Sequence, residues 1–163
     1  MIHYKDIDTI DKAVKAFENR VISTKCFNDF KKVQPEIATH PKIIALALHN
    51  GLEFSEVGEE YLTFEIVKNV LTYHPNKYPE LPLKYKSDVS LSLMCAEFDG
   101  SLMSYAPESI KRDKRVVEAA IKSKPSSAGW FPQSVLKHVE INRNFDRIDY
   151  SDRALSAKFQ LHV

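Results

Sequence analysis

The chain has 163 residues, of which 44% are hydrophobic and 28% are charged, a composition typical of a folded globular protein and not of a disordered one. Its formal net charge of +1 provides no overall field that would attract nucleic acid or an anionic membrane. With four glycines and two cysteines, the chain is not expected to depend on phosphate-binding loops or on a disulfide framework. The length suits one domain with a core of its own.

Residues 1–26 are predicted to form an N-terminal cap. Asp8 or Thr9 can cap a helix in which apolar residues recur on one face: Ile10, Val14, Phe17 and Val21. This helix does not share the pattern of the residues that follow it. Stacked helical repeats need an atypical end that hides their first apolar face, and this segment fits that role.

Residues 27–150 are predicted to form about five helix–turn–helix repeats, because apolar residues recur at steps of 24 or 25. Three of the columns are Phe30, Phe54, Tyr78, Met103 and Ala128; Val33, Val57, Leu81, Ala106 and Phe131; and Ile43, Val67, Leu91, Val116 and Ile141. Expected helix caps recur at one phase as well: Thr39, Thr63 and Ser87. The alternative is an irregular helical bundle whose helices have similar lengths.

The clearest copy of the pattern begins at residue 99. The dipeptide Asp99–Gly100 forms a turn that ends the preceding helix. A short helix follows, with one apolar face made by Met103, Ala106 and Ile110. Asp113 can then cap a longer helix, and Pro125 stops it.

This stretch, residues 99–121, resembles a family of short tandem helical repeats known only as a domain of unknown function. The family pattern, D/N-G-x-x-L-x-Y-A-x-x-x-L-x-x-D-x-x-V-V-x-x-A-V, is matched by Asp99, Gly100, Met103, Tyr105, Ala106, Ile110, Asp113, Val116, Val117, Ala120 and Ile121. The match is partial over residues 50–71 and weak elsewhere. The resemblance implies an all-helical repeat fold, brings no catalytic residues, and points to a bacterial, viral or phage source.

The chain is predicted to close with a C-terminal cap or tail, residues 151–163. Ser151 or Asp152 could cap a last helix with an apolar face, but Phe159 and Leu161 also alternate with polar residues, as in an extended tail. The predicted architecture is therefore a single all-α domain over residues 1–163, a short solenoid-like stack with a cap at each end.

The residues that could carry chemistry have structural explanations. His49 and His74 fall at the C-terminal ends of predicted helices, where the helix dipole favours them, and no histidine or cysteine shows the spacing of a metal site. Asp88 and Asp113 are expected caps, and no nucleophile elbow occurs. Cys95 lies in a core column. We expect no metal, no cofactor and no catalysis, with an active site assembled from distant repeats as the alternative.

Aromatic residues are the first candidates for binding. Tyr73, His74 and Phe98 cluster at the ends of long helices, and Phe98 does not fit a buried stripe. Tyr105 and Trp130 share a column whose earlier members are charged. Inward packing is the expectation for this last pair, and an aromatic anchor for a partner is the alternative, since Trp and Tyr dominate interface hot spots.

Basic residues concentrate late in the chain, at Lys111, Arg112, Lys114, Arg115, Lys122, Lys124, Lys137, Arg143 and Arg147. If they align, they form a positive strip that could meet nucleic acid or an acidic protein. A solvated face with interspersed acidic residues is the favoured explanation. Arg143 and Arg147 complete the set of candidate binding residues.

The favoured function is a non-catalytic protein–protein interaction module, a phage or bacterial accessory protein that binds and modulates a larger macromolecular complex. A nucleic-acid-binding helical array that uses the basic strip is the alternative, followed by an enzyme. No apolar run reaches the length of a membrane span, and the first residues lack the order of a signal peptide. Two distant cysteines suit a reducing compartment, so a cytoplasmic location without membrane contact is expected.

Overall fold

A computed structural model describes residues 3–139, and every regular element in this part of the chain is a helix, which confirms the all-α class. The α-helices are α1 (Ile10–Glu18), α2 (Phe27–Val33), α3 (Pro35–Ala38), α4 (Pro41–His49), α5 (Phe64–Tyr73), α6 (Leu83–Lys86), α7 (Val89–Phe98), α8 (Glu108–Lys111), α9 (Lys114–Ser123) and α10 (Gln133–Leu136). Short 3-10 helices lie before and between them, at Tyr4–Asp6, Thr24–Cys26, Phe54–Glu56, Glu59–Tyr61, Pro75–Glu80, Gly100–Tyr105 and Pro125–Trp130.

The chain divides into two compact units, Met1–His74 and Pro75–Val163. The division of one domain into a cap at residues 1–26, repeats at 27–150 and a cap or tail at 151–163 stays a prediction. Its last helix and its C-terminal cap or tail lie outside the described residues.

The first unit begins with the predicted N-terminal helix. Thr9 caps α1, because its hydroxyl oxygen accepts a hydrogen bond from the backbone N–H of Lys12 at 3.3 Å. The helix ends at Glu18, and Arg20 takes a left-handed conformation with φ 55°, so Val21 lies beyond the helix. The buried face of α1 is consequently displaced from the predicted one and consists of Ala13, Ala16 and Phe17.

Helices α4 and α5 pack together in the first unit. Each buries four residues in the same i, i+1, i+4, i+5 pattern, which are Ile43, Ile44, Ala47 and Leu48 in α4 and Ile66, Val67, Val70 and Leu71 in α5. Thr63 caps α5 as predicted. The predicted cap Thr39 is wrong: its hydroxyl donates to the carbonyl oxygen of Pro35, and the ring of His40 caps α4 instead.

The second unit is built on the packing of α7 against α9. These helices bury Leu91, Ser92, Cys95 and Ala96, and Val116, Val117, Ala120 and Ile121. Asp88 and Asp113 cap them as predicted, by accepting the N–H groups of Leu91 and Arg115, both at 3.0 Å. The second predicted cap of α7, Ser87, is wrong. Burial raises the pKa of the Cys95 thiol to about 12, as suits a core residue.

From residue 64 onward, helices of the same type and length begin 25 residues apart. The long helices α5, α7 and α9 each have ten residues, and the 3-10 helices after them start at Pro75, Gly100 and Pro125. With this step, Ile66 corresponds to Leu91, so the predicted pairing of Val67 with Leu91 is wrong by one residue. The other two columns named above are buried over residues 30–131 except at Val33, which is 41% exposed.

The predicted single short helix after residue 99 is two helices. The 3-10 helix Gly100–Tyr105 stops before Ala106, which is extended, and α8 starts at Glu108. Pro107 explains the break, because its ring disfavours a helical conformation in the residue before it. Pro82 and Pro132 precede α6 and α10 in the same way.

Gly100 is the point of closest approach between the start of this 3-10 helix and α9. A Cβ atom at Gly100 would collide with the carbonyl oxygen of Ala120 and with the hydroxyl of Ser127. Beside it, the hydroxyl of Ser123 donates to the carbonyl oxygen of Ala96 at 2.5 Å and accepts from the N–H of Gly100 at 2.9 Å. The Asp99–Gly100 turn therefore needs glycine for space.

Replacing Gly100 by Ala is expected to destabilise the protein by about 3 kcal/mol, because backbone atoms cannot yield to the added methyl group. Gly58→Ala is the matched control, since the atoms nearest to the added Cβ there belong to the flexible carboxylate end of Glu60. Chemical denaturation of both variants measures the difference, and an equal loss in the two would contradict the close packing at Gly100.

Two buried serines of the second unit are expected to affect stability in opposite directions when they are replaced by alanine. The hydroxyl of Ser92 bonds to the Tyr78 hydroxyl at 2.9 Å and to the carbonyl oxygen of Lys86 at 3.0 Å, whereas the Ser127 hydroxyl is buried without a partner. Ser127→Ala is expected to raise the free energy of unfolding by about 1 kcal/mol, and Ser92→Ala to lower it by about the same amount. Thermal melting of the pair tests this, and a loss of stability in Ser127→Ala would count against it.

Val116 is fully buried in α9, while Lys114 is exposed in the first turn of the same helix. We expect Val116→Asp to cost several kcal/mol and to unfold the second unit, because it buries an unpaired charge. Lys114→Asp should be nearly neutral, since negative charge is favoured at a helix N-terminus. Circular dichroism and melting curves of the two variants separate these outcomes.

Candidate interaction surface

At one end of the first unit, Asn69 and the two predicted residues Tyr73 and His74 come together around His49. Its ring lies 5.5 Å from the ring of Tyr73 in an edge-on arrangement and 5.2 Å from the ring of His74, measured between ring centroids. Its Nε2 atom is hydrogen-bonded to the amide oxygen of Asn69 at 2.8 Å. We call His49, Asn69, Tyr73 and His74 the histidine–tyrosine cluster.

The local sequence explains why these side chains meet. His49 is the last residue of α4, and Gly51, with φ 102°, turns the chain away immediately after it. Asn69 and Tyr73 are one helical turn apart on α5, so they share a face. His74 is the C-cap of α5, and its N–H bonds to the carbonyl oxygen of Val70. The packing of α4 against α5 thus brings the two helix C-termini side by side.

The cluster is accessible, and the helix ends on which it lies favour positive charge. Tyr73 is 69% exposed. Both helix C-termini carry partial negative charge on their last carbonyl groups. Between Lys42 and Lys68 the chain has no lysine or arginine but has five exposed glutamates, Glu53, Glu56, Glu59, Glu60 and Glu65. The same unit holds a cation–π pair, in which Lys31 Nζ lies 4.9 Å from the centroid of the Tyr61 ring.

The second unit also exposes aromatic side chains. Phe98, the last residue of α7, is 67% exposed, in agreement with its poor fit to a buried stripe. Tyr105 and Trp130, which end consecutive 3-10 helices, are 58% and 43% exposed, so the expectation that they pack inside is wrong. Leu83 on α6 is a further exposed apolar residue that the column pattern did not reveal.

The basic residues late in the chain are interspersed with acidic ones. Residues 88–139 contain seven Lys or Arg and six Asp or Glu. Four of the basic side chains form exposed ion pairs, Arg112 with Glu108, Lys114 with Glu118, Arg115 with Asp113 and Lys124 with Asp99. The bond from Arg115 also lowers the pKa of Asp113. Arg143 and Arg147 lie outside the described residues.

Other polar groups have local partners. Burial would raise the pKa of the Cys26 thiol, but hydrogen bonds from Ser23 and Tyr4 outweigh that effect and hold the pKa below its usual value. A hydrogen bond from Ser101 is the main reason that the pKa of Asp99 is lowered. Within residues 3–139, no group of three or more histidine, cysteine or acidic side chains is arranged to hold a metal ion.

Residues 88–140 match a family described as a domain of unknown function (DUF4116). The matched segment includes α7, α8, α9 and α10 and contains the stretch that carries the sequence resemblance. No curated protein and no solved structure is significantly similar to the chain. No helix in the described part of the chain is both long enough and apolar enough to span a membrane.

Proposed function

We propose that this chain is a non-catalytic protein-binding module built from tandem helical repeats. The exposed aromatic residues at helix ends are the observation that carries this proposal. Tyr73 and Phe98 each end a ten-residue helix, 25 residues apart, and both are more than two-thirds exposed. Large exposed rings contribute little to the core, and they are the residue types that anchor protein partners.

The repeat architecture is supported by the positions of the helices. From residue 64 onward, long helices, 3-10 helices and short helices follow in the same order with a step of 25 residues. A fixed step of this kind is typical of arrays in which each copy buries its apolar face against its neighbour. We propose a stack of about five copies with a cap at each end, over residues 1–163.

The binding residues proposed are Tyr73, His74, Phe98 and Trp130, together with Arg143 and Arg147. The ion pairs on α8 and α9 favour a solvated face over a continuous positive strip, so a protein partner is favoured over nucleic acid. The resemblance to a family found in bacteria and phages supports a cytoplasmic accessory protein that modulates a larger complex.

The proposal predicts a stoichiometric protein partner that survives nuclease treatment. A tagged chain should capture it from a lysate of cells that naturally express the protein, and mass spectrometry should identify it. Tyr73→Ala and Phe98→Ala should each reduce capture about tenfold, the loss expected when a hot-spot ring is truncated. Leu83→Ala, an equally exposed residue outside the proposed set, is the control and should capture normally.

If nuclease treatment abolishes capture, the partner is nucleic acid and not a protein. Capture that is the same in all three variants would mean that the aromatic helix ends are not the binding surface. All three variants should melt close to the temperature of the unaltered chain, because Tyr73, Phe98 and Leu83 are 69%, 67% and 66% exposed.

A further inference from the structure

We propose that the histidine–tyrosine cluster binds a lysine or arginine side chain presented by a basic segment of a protein partner. This inference rests on the proposed function and gives the chemistry of the partner at one part of the surface. It follows from the rings of the cluster, the helix ends beneath them and the charge of the neighbouring chain.

The first argument is the exposed aromatic face. Tyr73 is largely accessible, and it is held in place by its edge contact with the His49 ring. The His49 ring is in turn fixed by its hydrogen bond to Asn69. A tyrosine ring in a fixed position attracts a cation through its quadrupole, and less conformational freedom is lost on binding when the ring is already held.

The second argument is the direction of the helix dipoles. α4 ends at His49 and α5 ends at Tyr73, so two helices of nine and ten residues present their carbonyl ends at the same place. The partial negative charge there favours a cation and disfavours a carboxylate or phosphate. An anionic ligand is therefore a poor match for this cluster.

The third argument is the charge of the chain that links the two helices. Four exposed glutamates lie in this link, Glu53, Glu56, Glu59 and Glu60, and the link contains no lysine or arginine. Glu53, the first of them, is only four residues beyond His49. A basic segment that places one side chain on the cluster would find negative charge for its neighbouring residues, which favours fast association and specificity.

The test uses the full chain and two labelled peptides, one rich in arginine and one with glutamate in place of each arginine. Fluorescence anisotropy should show binding of the arginine peptide alone, weaker at high salt. Tyr73→Ala should weaken this binding about tenfold, whereas Tyr73→Phe, which keeps the ring, should stay within about twofold of the unaltered chain. Tyr105→Ala removes an exposed tyrosine outside the proposed set and should change nothing.

Equal binding of both peptides, or arginine-peptide binding that Tyr73→Ala leaves intact, would overturn the inference. If no peptide binds but a captured partner depends on Tyr73, the inference fails while the protein-binding function stands. If the arginine peptide binds through Tyr73 but the chain captures no protein, the cluster has the proposed chemistry and the proposed function fails.

Discussion

The second unit depends on the close packing of α7 against α9, and that packing depends on one position without a side chain. Gly100 lets the start of a 3-10 helix press against the carbonyl of Ala120, and Ser123 bridges the end of α7 and the N–H of Gly100 at the same point. These contacts are made by backbone atoms and by the hydroxyl group of Ser123. The buried groups of α7 and α9 then fill the remaining space.

This arrangement separates the buried residues of the long helices from their exposed ends. The third, fourth, seventh and eighth residues of each ten-residue helix are buried, while the last residue is exposed in α5 and α7. In α9 the equivalent last residue is Ser123, which links two helices by hydrogen bonds. The last position of a long helix thus links two elements in α9 and carries an exposed aromatic ring in α5 and α7.

The sequence predicts the helices and most caps because these depend on neighbouring residues: Thr9, Thr63 and Asp113 cap helices as expected. It does not predict how Pro107 divides the short helix, since the apolar spacing continues through the break. The one-residue shift at Ile66 was hidden because Val67 is equally apolar. The bond between His49 and Asn69 joins residues 20 apart, and nothing in their local sequence indicates it. From the sequence alone, an exposed ring such as Trp130 cannot be distinguished from a core residue, because the residue type is the same in both settings.

The buried pattern of the long helices also limits where the chain can change length. One residue added within α7 would rotate all later positions by about 100° and carry its buried face toward solvent. Between α4 and α5, by contrast, the corresponding residues Ile43 and Ile66 are 23 apart and not 25. The step between these two helices is therefore two residues shorter than the step between the later ones. Insertions and deletions among related proteins should therefore concentrate in residues 51–62, and the long helices should keep a constant length.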